Sequence, residues 1–272
     1  MVPMTHPELT ANWQRFTGFA DVYDSYRPRP PAALADVLCS IAATERPTLV
    51  VDLGSGTGTS TRYWAELADG VIGVEPSADM RRQAQAATTA TNITFREGFS
   101  HDTGLPDHCA DIVTCSQSLH WMLPEPTFAE AARILRPGGV FAALDYDWPP
   151  ITPRWETQEA YHRFTAGIHE LERLHHVREE LVSAEKSGHL GRMNESGRFR
   201  FTREFMLHHI DEGSASRLVG LALSQGSVQS LRKAGLSDEE IGLERLRDDL
   251  AALGSDETER WYWTSRIRVG IV

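Results

Sequence analysis

Asp52, Gly54, Gly56, Gly58 and Glu75 are the residues whose types and spacing bear most directly on chemistry. They fall in Val51-Asp52-Leu53-Gly54-Ser55-Gly56-Thr57-Gly58 and at the end of Val71-Ile72-Gly73-Val74-Glu75. A glycine-rich turn after an apolar run tolerates positive φ and lets a ligand lie close to the backbone. The dinucleotide fingerprint G-x-G-x-x-G needs a third glycine where this chain has Thr59. Asp52, just before the loop, repels a pyrophosphate and suits a cationic, phosphate-free nucleoside. Glu75, at the tip of the next apolar run, is placed to accept both ribose hydroxyls, which disfavours a 2′-phosphorylated cofactor. S-adenosylmethionine, with its ammonium and sulfonium, has the required charge.

These residues need a scaffold, and the hydrophobic pattern supplies one. Short apolar runs at 48–53, 71–75, 93–97, 111–115 and 140–146 read as strands. Helical spacing over 30–43, 58–68, 77–87 and 126–135 places helices around them, with Ser77 as N-cap of the third. Strands alternating with helices predict an α/β fold, a Rossmann-like, doubly wound, mostly parallel sheet. Asp147-Trp148-Pro149-Pro150 interrupts the pattern. Beyond it, 155–182 predicts a long helix or helix pair, 191–197 a polar loop, 200–209 and 261–269 strands, and 212–223 and 238–253 helices. The expected organisation is an N-terminal lid and first helix (1–45), a nucleoside-binding core (46–150), a helical acceptor-side insertion (151–198), and strands and helices completing the sheet (199–272).

Three segments together carry a family resemblance: Asp52–Gly58, Gly73-Val74-Glu75-Pro76-Ser77-Ala78-Asp79-Met80, and Leu135-Arg136-Pro137-Gly138-Gly139. They resemble successive signatures of class I S-adenosylmethionine-dependent methyltransferases, over roughly Phe19 to Tyr146. Ala20-Asp21-Val22-Tyr23-Asp24-Ser25-Tyr26-Arg27-Pro28 and Ser116-Gln117-Ser118-Leu119-His120-Trp121 narrow the likeness to the small-molecule branch that includes trans-aconitate methyltransferases. The resemblance implies that Asp52, Gly54, Ser55 and Gly56 line the methionine part of the cofactor. It assigns the ribose to Glu75, and the adenine surroundings to Pro76 and Met80. The family often has an acidic residue after the third strand, where this chain has Gly98-Phe99-Ser100-His101; Ser100 or His101 is the substitute contact. Ser116 and Gln117, at the end of the fourth strand, face the sulfonium in this fold.

The acceptor site is expected around Leu119-His120-Trp121-Met122. His120 is the candidate catalytic base for a hydroxyl acceptor. A carboxylate acceptor needs no base, and His120 then only orients it. Trp121 is a candidate acceptor wall or a core residue. Tyr23, Tyr26 and Arg27 resemble a lid over the cofactor, or an aromatic clasp anchoring the N-terminus, with Tyr23 and Arg27 at the cofactor, Arg27 suited to its methionine carboxylate, and Tyr26 at the acceptor. The implied function is methyl transfer to a small molecule, at a carboxylate or hydroxyl oxygen. The alternatives are a protein of the same fold that binds the cofactor without methylating, and a nicotinamide oxidoreductase, against which Thr59 and Asp52 count.

Composition limits the partners. The net charge is −11, from 27 Lys and Arg against 38 Asp and Glu, which argues against nucleic acid and anionic membrane surfaces. The expected partner is a small acceptor, with the chain a monomer or homodimer. Cys39, Cys109 and Cys115 show no C-x-x-C spacing, which fits reduced thiols in the cytoplasm. Residues 1–16 lack a signal-peptide core. His162, His169 and His176 recur at intervals of seven, too wide for helical metal ligands, so no metal is expected. Trp148, Trp155, Trp261 and Trp263 are expected mainly in the core.

Overall fold

Strands that are apolar at every position must be covered on both faces. The computed structural model of the chain describes residues 10, 12, 15, 18–179, 181–254 and 257–272. Most of the N-terminal stretch read for a signal peptide lies outside them. The strands are β1 (Leu49–Leu53), β2 (Gly70–Val74), β3 (Ile93–Arg96), β4 (Ala110–Ser116), β5 (Leu135–Tyr146), β6 (Phe201–Gly213) and β7 (Glu259–Ile271). They form one sheet in the order β3-β2-β1-β4-β5-β7-β6. The first five are parallel, and β7 runs antiparallel to both β5 and β6. This is the doubly wound α/β sheet expected from the sequence, completed by its C-terminal strands.

The helices are α1 (Ala20–Tyr26), α2 (Ala33–Ile41), α3 (Thr59–Tyr63), α4 (Ala78–Ala86), α5 (Pro124–Ile134), α6 (Trp155–Leu174), α7 (His189–Glu195), α8 (Ala215–Leu223), α9 (Gly226–Lys233), α10 (Asp238–Ile241) and α11 (Leu243–Ala252). The period of two divides the strand side chains between two cores. Val50, Ile112, Val140, Ala142 and Leu144 face Leu38 of α2, Tyr161 and Phe164 of α6, Leu221 of α8 and Leu250 of α11. Val51, Leu53, Val113, Phe141 and Ala143 face Phe128 and Ile134 of α5, Met193 of α7, and Phe199. Each large side chain fully buried in this way contributes about 1.5–3 kcal/mol.

Several elements differ from the sequence reading. The predicted loop 191–197 is largely α7, because His189 and Met193 bury against the sheet. The predicted helix 58–68 is confined to α3. The long predicted helix ends at Leu174, so His175 and His176 lie beyond it. β6 extends to Gly213, where a Cβ would stand 1.9 Å from the Trp261 ring, and α8 therefore starts only at Ala215. The helix predicted over 238–253 breaks at Gly242, whose φ is +83°. Trp261 and Trp263 are core residues as expected, whereas Trp155 is 66% exposed.

The chain leaves β1 toward β2 and later returns to β4 on the opposite side of β1. Connections after β1 and β4 therefore diverge, opening a crevice at the carboxyl ends of the strands.

Candidate cofactor cleft and adjoining cavity

The loop after β1 forms the floor of that crevice. Gly54 has φ +64°, and a Cβ there would stand 2.6 Å from Met122 Cε and 2.8 Å from Ser118 Cβ. Both its conformation and the close approach of the β4 segment require glycine. The Gly54 and Ser55 amides donate to the Val74 carbonyl at 2.8 and 3.2 Å, which ties the loop to the end of β2. Asp52 is fully buried. Its carboxylate accepts from Ser60 Oγ at 2.6 Å, Thr61 Oγ1 at 2.7 Å and Thr114 Oγ1 at 3.0 Å. Burial raises its carboxyl above the usual range against the pull of those hydroxyls. Asp52 thus ties β1 to β4 and to the first turn of α3, and it does not line the cleft.

Glu75 does line the cleft. It accepts from the Gly56 amide at 3.0 Å and the Ser77 amide at 2.8 Å. Burial raises its carboxyl to about 6, with both amides opposing the shift. Ser77 accepts from the Met80 amide at 3.4 Å and caps α4, which sets Pro76 and Met80 into the same wall. Ser100 lines the cleft and pairs with Thr127 Oγ1 at 2.8 Å. His101 does not line it; its ring stacks on Phe99 with centroids 5.4 Å apart, and Phe99 takes the place at the wall. The opposite wall comes from the end of β4 and beyond: Ser116, Gln117, Ser118, Trp121 and Met122, with Tyr146 of β5. Tyr23 and Arg27 close the top. With its open mouth included, the cleft holds about 1060 Å³.

Arg27 is held firmly. Its Nη2 donates to the Ser224 carbonyl at 2.8 Å, and the guanidinium lies over Tyr23 at 4.6 Å and Trp148 at 5.0 Å. Its Nε is buried without a partner. Tyr26, expected at the acceptor, lines neither cavity. Its ring packs against Gly220 of α8, where a Cβ would stand 2.2 Å from it. The helical phase of α1 turns Tyr23 and Tyr26 to different surroundings.

Tyr23, Arg27, Gln117 and Trp121 are shared with a second cavity. Its further lining includes Arg15, Arg178, Lys186, His120, His162, His169, Glu172 and Trp148. Glu172 is buried and pairs with Arg15 at 2.8 Å. Lys186 Nζ lies 3.0 Å from Asp145 Oδ1 and donates to Gln117 Oε1 at 2.8 Å. Asp145 Oδ2 in turn accepts from the buried Arg268 at 2.8 Å. His120 Nδ1 stands 4.0 Å from Asp145 Oδ1. Burial first, and then Lys186 and the other nearby cationic groups, push the imidazole well below its ordinary range, so His120 is neutral at pH 7.

Asn12 assembles this side. Its Nδ2 donates to the carbonyls of Trp121 at 2.9 Å and Val182 at 2.6 Å, and its Oδ1 accepts from the Val182 amide at 3.0 Å. Sequence reasoning missed Asn12, Arg15, Tyr146 and Lys186, none of which stands in a motif. His162 and His169 face the second cavity from α6 and His176 does not. Among the described residues no group of three or more His, Cys, Asp or Glu is placed to hold a metal.

The first cleft fits S-adenosylmethionine. A carboxylate, Glu75, borders it. Gly56 has open space where a Cβ would stand, and the buried Ser55 hydroxyl has no hydrogen-bond partner among the described residues. Comparison with known proteins agrees. Residues 51–143 match the family described as a methyltransferase domain. An uncharacterized methyltransferase of Mycobacterium tuberculosis is 34% identical over 124 residues, 46% of this chain and 49% of that protein. A Saccharomyces cerevisiae protein named for S-adenosylmethionine-dependent methyl transfer is 27% identical over 147 residues, 52% of this chain and 50% of the relative. The chain thus spans about half the length of the curated relatives it matches. The structure of a proposed type II methyltransferase from Anaeromyxobacter dehalogenans superposes with a TM-score of 0.67 at 25% identity, covering 91% of this chain and 98% of that one. Residues 51–143 thus match a methyltransferase domain, and the whole sheet has the fold of the Anaeromyxobacter protein.

Proposed function

We propose that the whole chain is a methyltransferase that methylates a carboxylate oxygen of a small acceptor. The observation that carries this reading is the second cavity. It opens from the cofactor cleft past Tyr23, Arg27, Gln117 and Trp121, and Arg15, Arg27, Arg178 and Lys186 line it against Glu172 and Glu185. Such a lining attracts an anion. S-adenosylmethionine supplies an electrophilic methyl group on sulfur, which a carboxylate oxygen displaces to give a methyl ester and a neutral thioether.

A carboxylate is already deprotonated at pH 7, so it needs no base. His120, held neutral, is a poor proton acceptor but a good hydrogen-bond partner, and its role is orientation. Glu75 holds the ribose, Pro76 and Met80 flank the adenine, and Ser100 and Phe99 border it. Ser116 and Gln117 stand at the transfer point. The rate gain on this reading comes from positioning and from excluding water under the Tyr23–Arg27 roof. Likeness to the trans-aconitate branch supports a compact polycarboxylate among the possible acceptors. A cytoplasmic location belongs to the same proposal, supported by three thiols, none of them in a disulfide.

Calorimetry with S-adenosylhomocysteine and NADPH tests the cofactor, with micromolar affinity expected for the first alone. Incubation with S-adenosylmethionine and a carboxylic-acid library, read by mass spectrometry, tests the acceptor. Esters are the expected products; methylation confined to amines or alcohols would sink the carboxylate reading.

A further inference from the structure

Gln117 combines three features that structural convenience does not explain. It follows β4 with φ +55°, a left-handed conformation that costs a side-chain-bearing residue about 1–2 kcal/mol. The residue lines both cavities. Its Nε2 is buried with no partner among the described residues, while its Oε1 accepts from Lys186 Nζ at 2.8 Å. An ammonium has donors only, so the amide oxygen must face Lys186 and the amide NH2 must face away from it. The glutamine is therefore locked as a hydrogen-bond donor. A buried donor without an acceptor costs about 1–3 kcal/mol, which marks the place where a ligand oxygen belongs.

Lys186 is also held. Two of its three donors are engaged, by Asp145 Oδ1 at 3.0 Å and by Gln117. Asp145 divides its charge between Lys186 and Arg268, so it neutralises neither fully. The segment carrying Lys186 is sewn to the β4 side by the Ala184 amide, which donates to the His120 carbonyl at 2.8 Å, and by the two Asn12 contacts to Val182. The ammonium is thus fixed beside the amide at the mouth between the two cavities.

We infer that Gln117 and Lys186 form a two-donor carboxylate clamp that holds the acceptor at the junction of the cofactor cleft and the second cavity. The clamp rests on the carboxylate reading proposed above. Lys186 supplies charge and fixes the amide; Gln117 Nε2 supplies the directional bond. Neither residue takes a proton in the reaction, and both act on acceptor binding.

The test uses the full chain saturated with S-adenosylhomocysteine and a calorimetric panel of benzoate, succinate and citrate. K186Q removes the charge. Q117E replaces the inward donor with an acceptor while keeping a partner for Lys186, so it retains the fold even where K186Q does not. K186R restores charge and donors. At least one carboxylate is expected to bind the wild type. Its Kd is expected to rise at least tenfold in K186Q and Q117E and to recover to within threefold in K186R, with S-adenosylhomocysteine affinity within twofold in the two Lys186 variants. Unchanged carboxylate binding in both K186Q and Q117E would overturn the clamp, as would no binding of any panel member to the loaded wild type. Failure of the wild type to bind S-adenosylhomocysteine would instead remove the methyltransferase reading beneath it.

Discussion

The first cleft and the second cavity share one wall, yet they are assembled in opposite ways. In the cleft, the Gly56 amide meets Glu75 only 19 residues away, and Ser77 caps its own helix. The groups are backbone amides and short side chains at consecutive strand tips. In the second cavity, Arg15 meets Glu172 across 157 residues, Lys186 meets Gln117 across 69, and Gln225 meets Tyr161 across 64. There the groups are long side chains, each positioned by a separate element. A cleft of the first kind is inseparable from the sheet. A cavity of the second kind can be re-lined without disturbing it, which is how one fold serves many acceptors.

The largest effect should come from the ionic junction between the two regions. Asp145→Ala leaves Arg268, 2% exposed, with Glu204 alone at 2.7 Å, and frees Lys186 from its anchor. Breaking a buried pair by deleting one partner costs about 3–5 kcal/mol. Urea unfolding should show a loss of at least about 3 kcal/mol, the lower end of that range. A loss below about 1 kcal/mol, the size of an exposed ion pair, would mean that the junction behaves as a solvated surface and that the contrast drawn above is too sharp.

The same contrast explains what the sequence disclosed. The glycine loop, Glu75 and the alternation of strand with helix are local patterns, so the sheet and half of the site could be read from spacing. Asp52 stands off the cleft lining because Ser60, Thr61 and Thr114 take its carboxylate, and Thr114 arrives from another strand. Tyr26 and His101 stand off the linings because residues three or one positions from lining residues point elsewhere. Lys186 and Asn12 carry no motif, since a lone polar residue gains meaning only when the fold brings it to a partner. Helix α7 was missed because its Gly and Asn content mimics a loop, while burial of Met193 and His189 decides the outcome.

Glu75→Gln tests the cleft itself, and it should move affinity and stability in opposite directions. Losing the charged acceptor should weaken S-adenosylhomocysteine by about 1–3 kcal/mol, or roughly 5–150-fold. The raised carboxyl, about 6 in the folded chain against 4.5 for the ordinary group, means that folding prefers the protonated form. That preference stabilises fully below pH 4.5 and is lost as pH rises through 6. At pH 7.5 the neutral glutamine therefore relieves up to about 2 kcal/mol of strain, less whatever is lost at the Gly56 and Ser77 amides. The thermal midpoint of the variant should exceed wild type at pH 7.5, with the margin shrinking toward pH 5. A margin that grows on acidification would reverse the assigned shift.

The smallest expected effect lies on the acceptor side, at His120. Loss of a true general base lowers turnover about 10²–10⁴-fold. Burial and Lys186 already hold this imidazole neutral at pH 7, and a carboxylate oxygen has no proton to give. His120→Ala should then lower kcat on a carboxylate less than about tenfold, which is 1.4 kcal/mol, with S-adenosylhomocysteine affinity unchanged. The wild-type rate should stay level between pH 7 and 8.5 and fall toward pH 6 as Glu75 takes up a proton. A hundredfold loss in His120→Ala would make the histidine a base after all. The acceptor would then carry a hydroxyl, and the cations around it would serve to bind a neighbouring anionic group rather than the atom that receives the methyl.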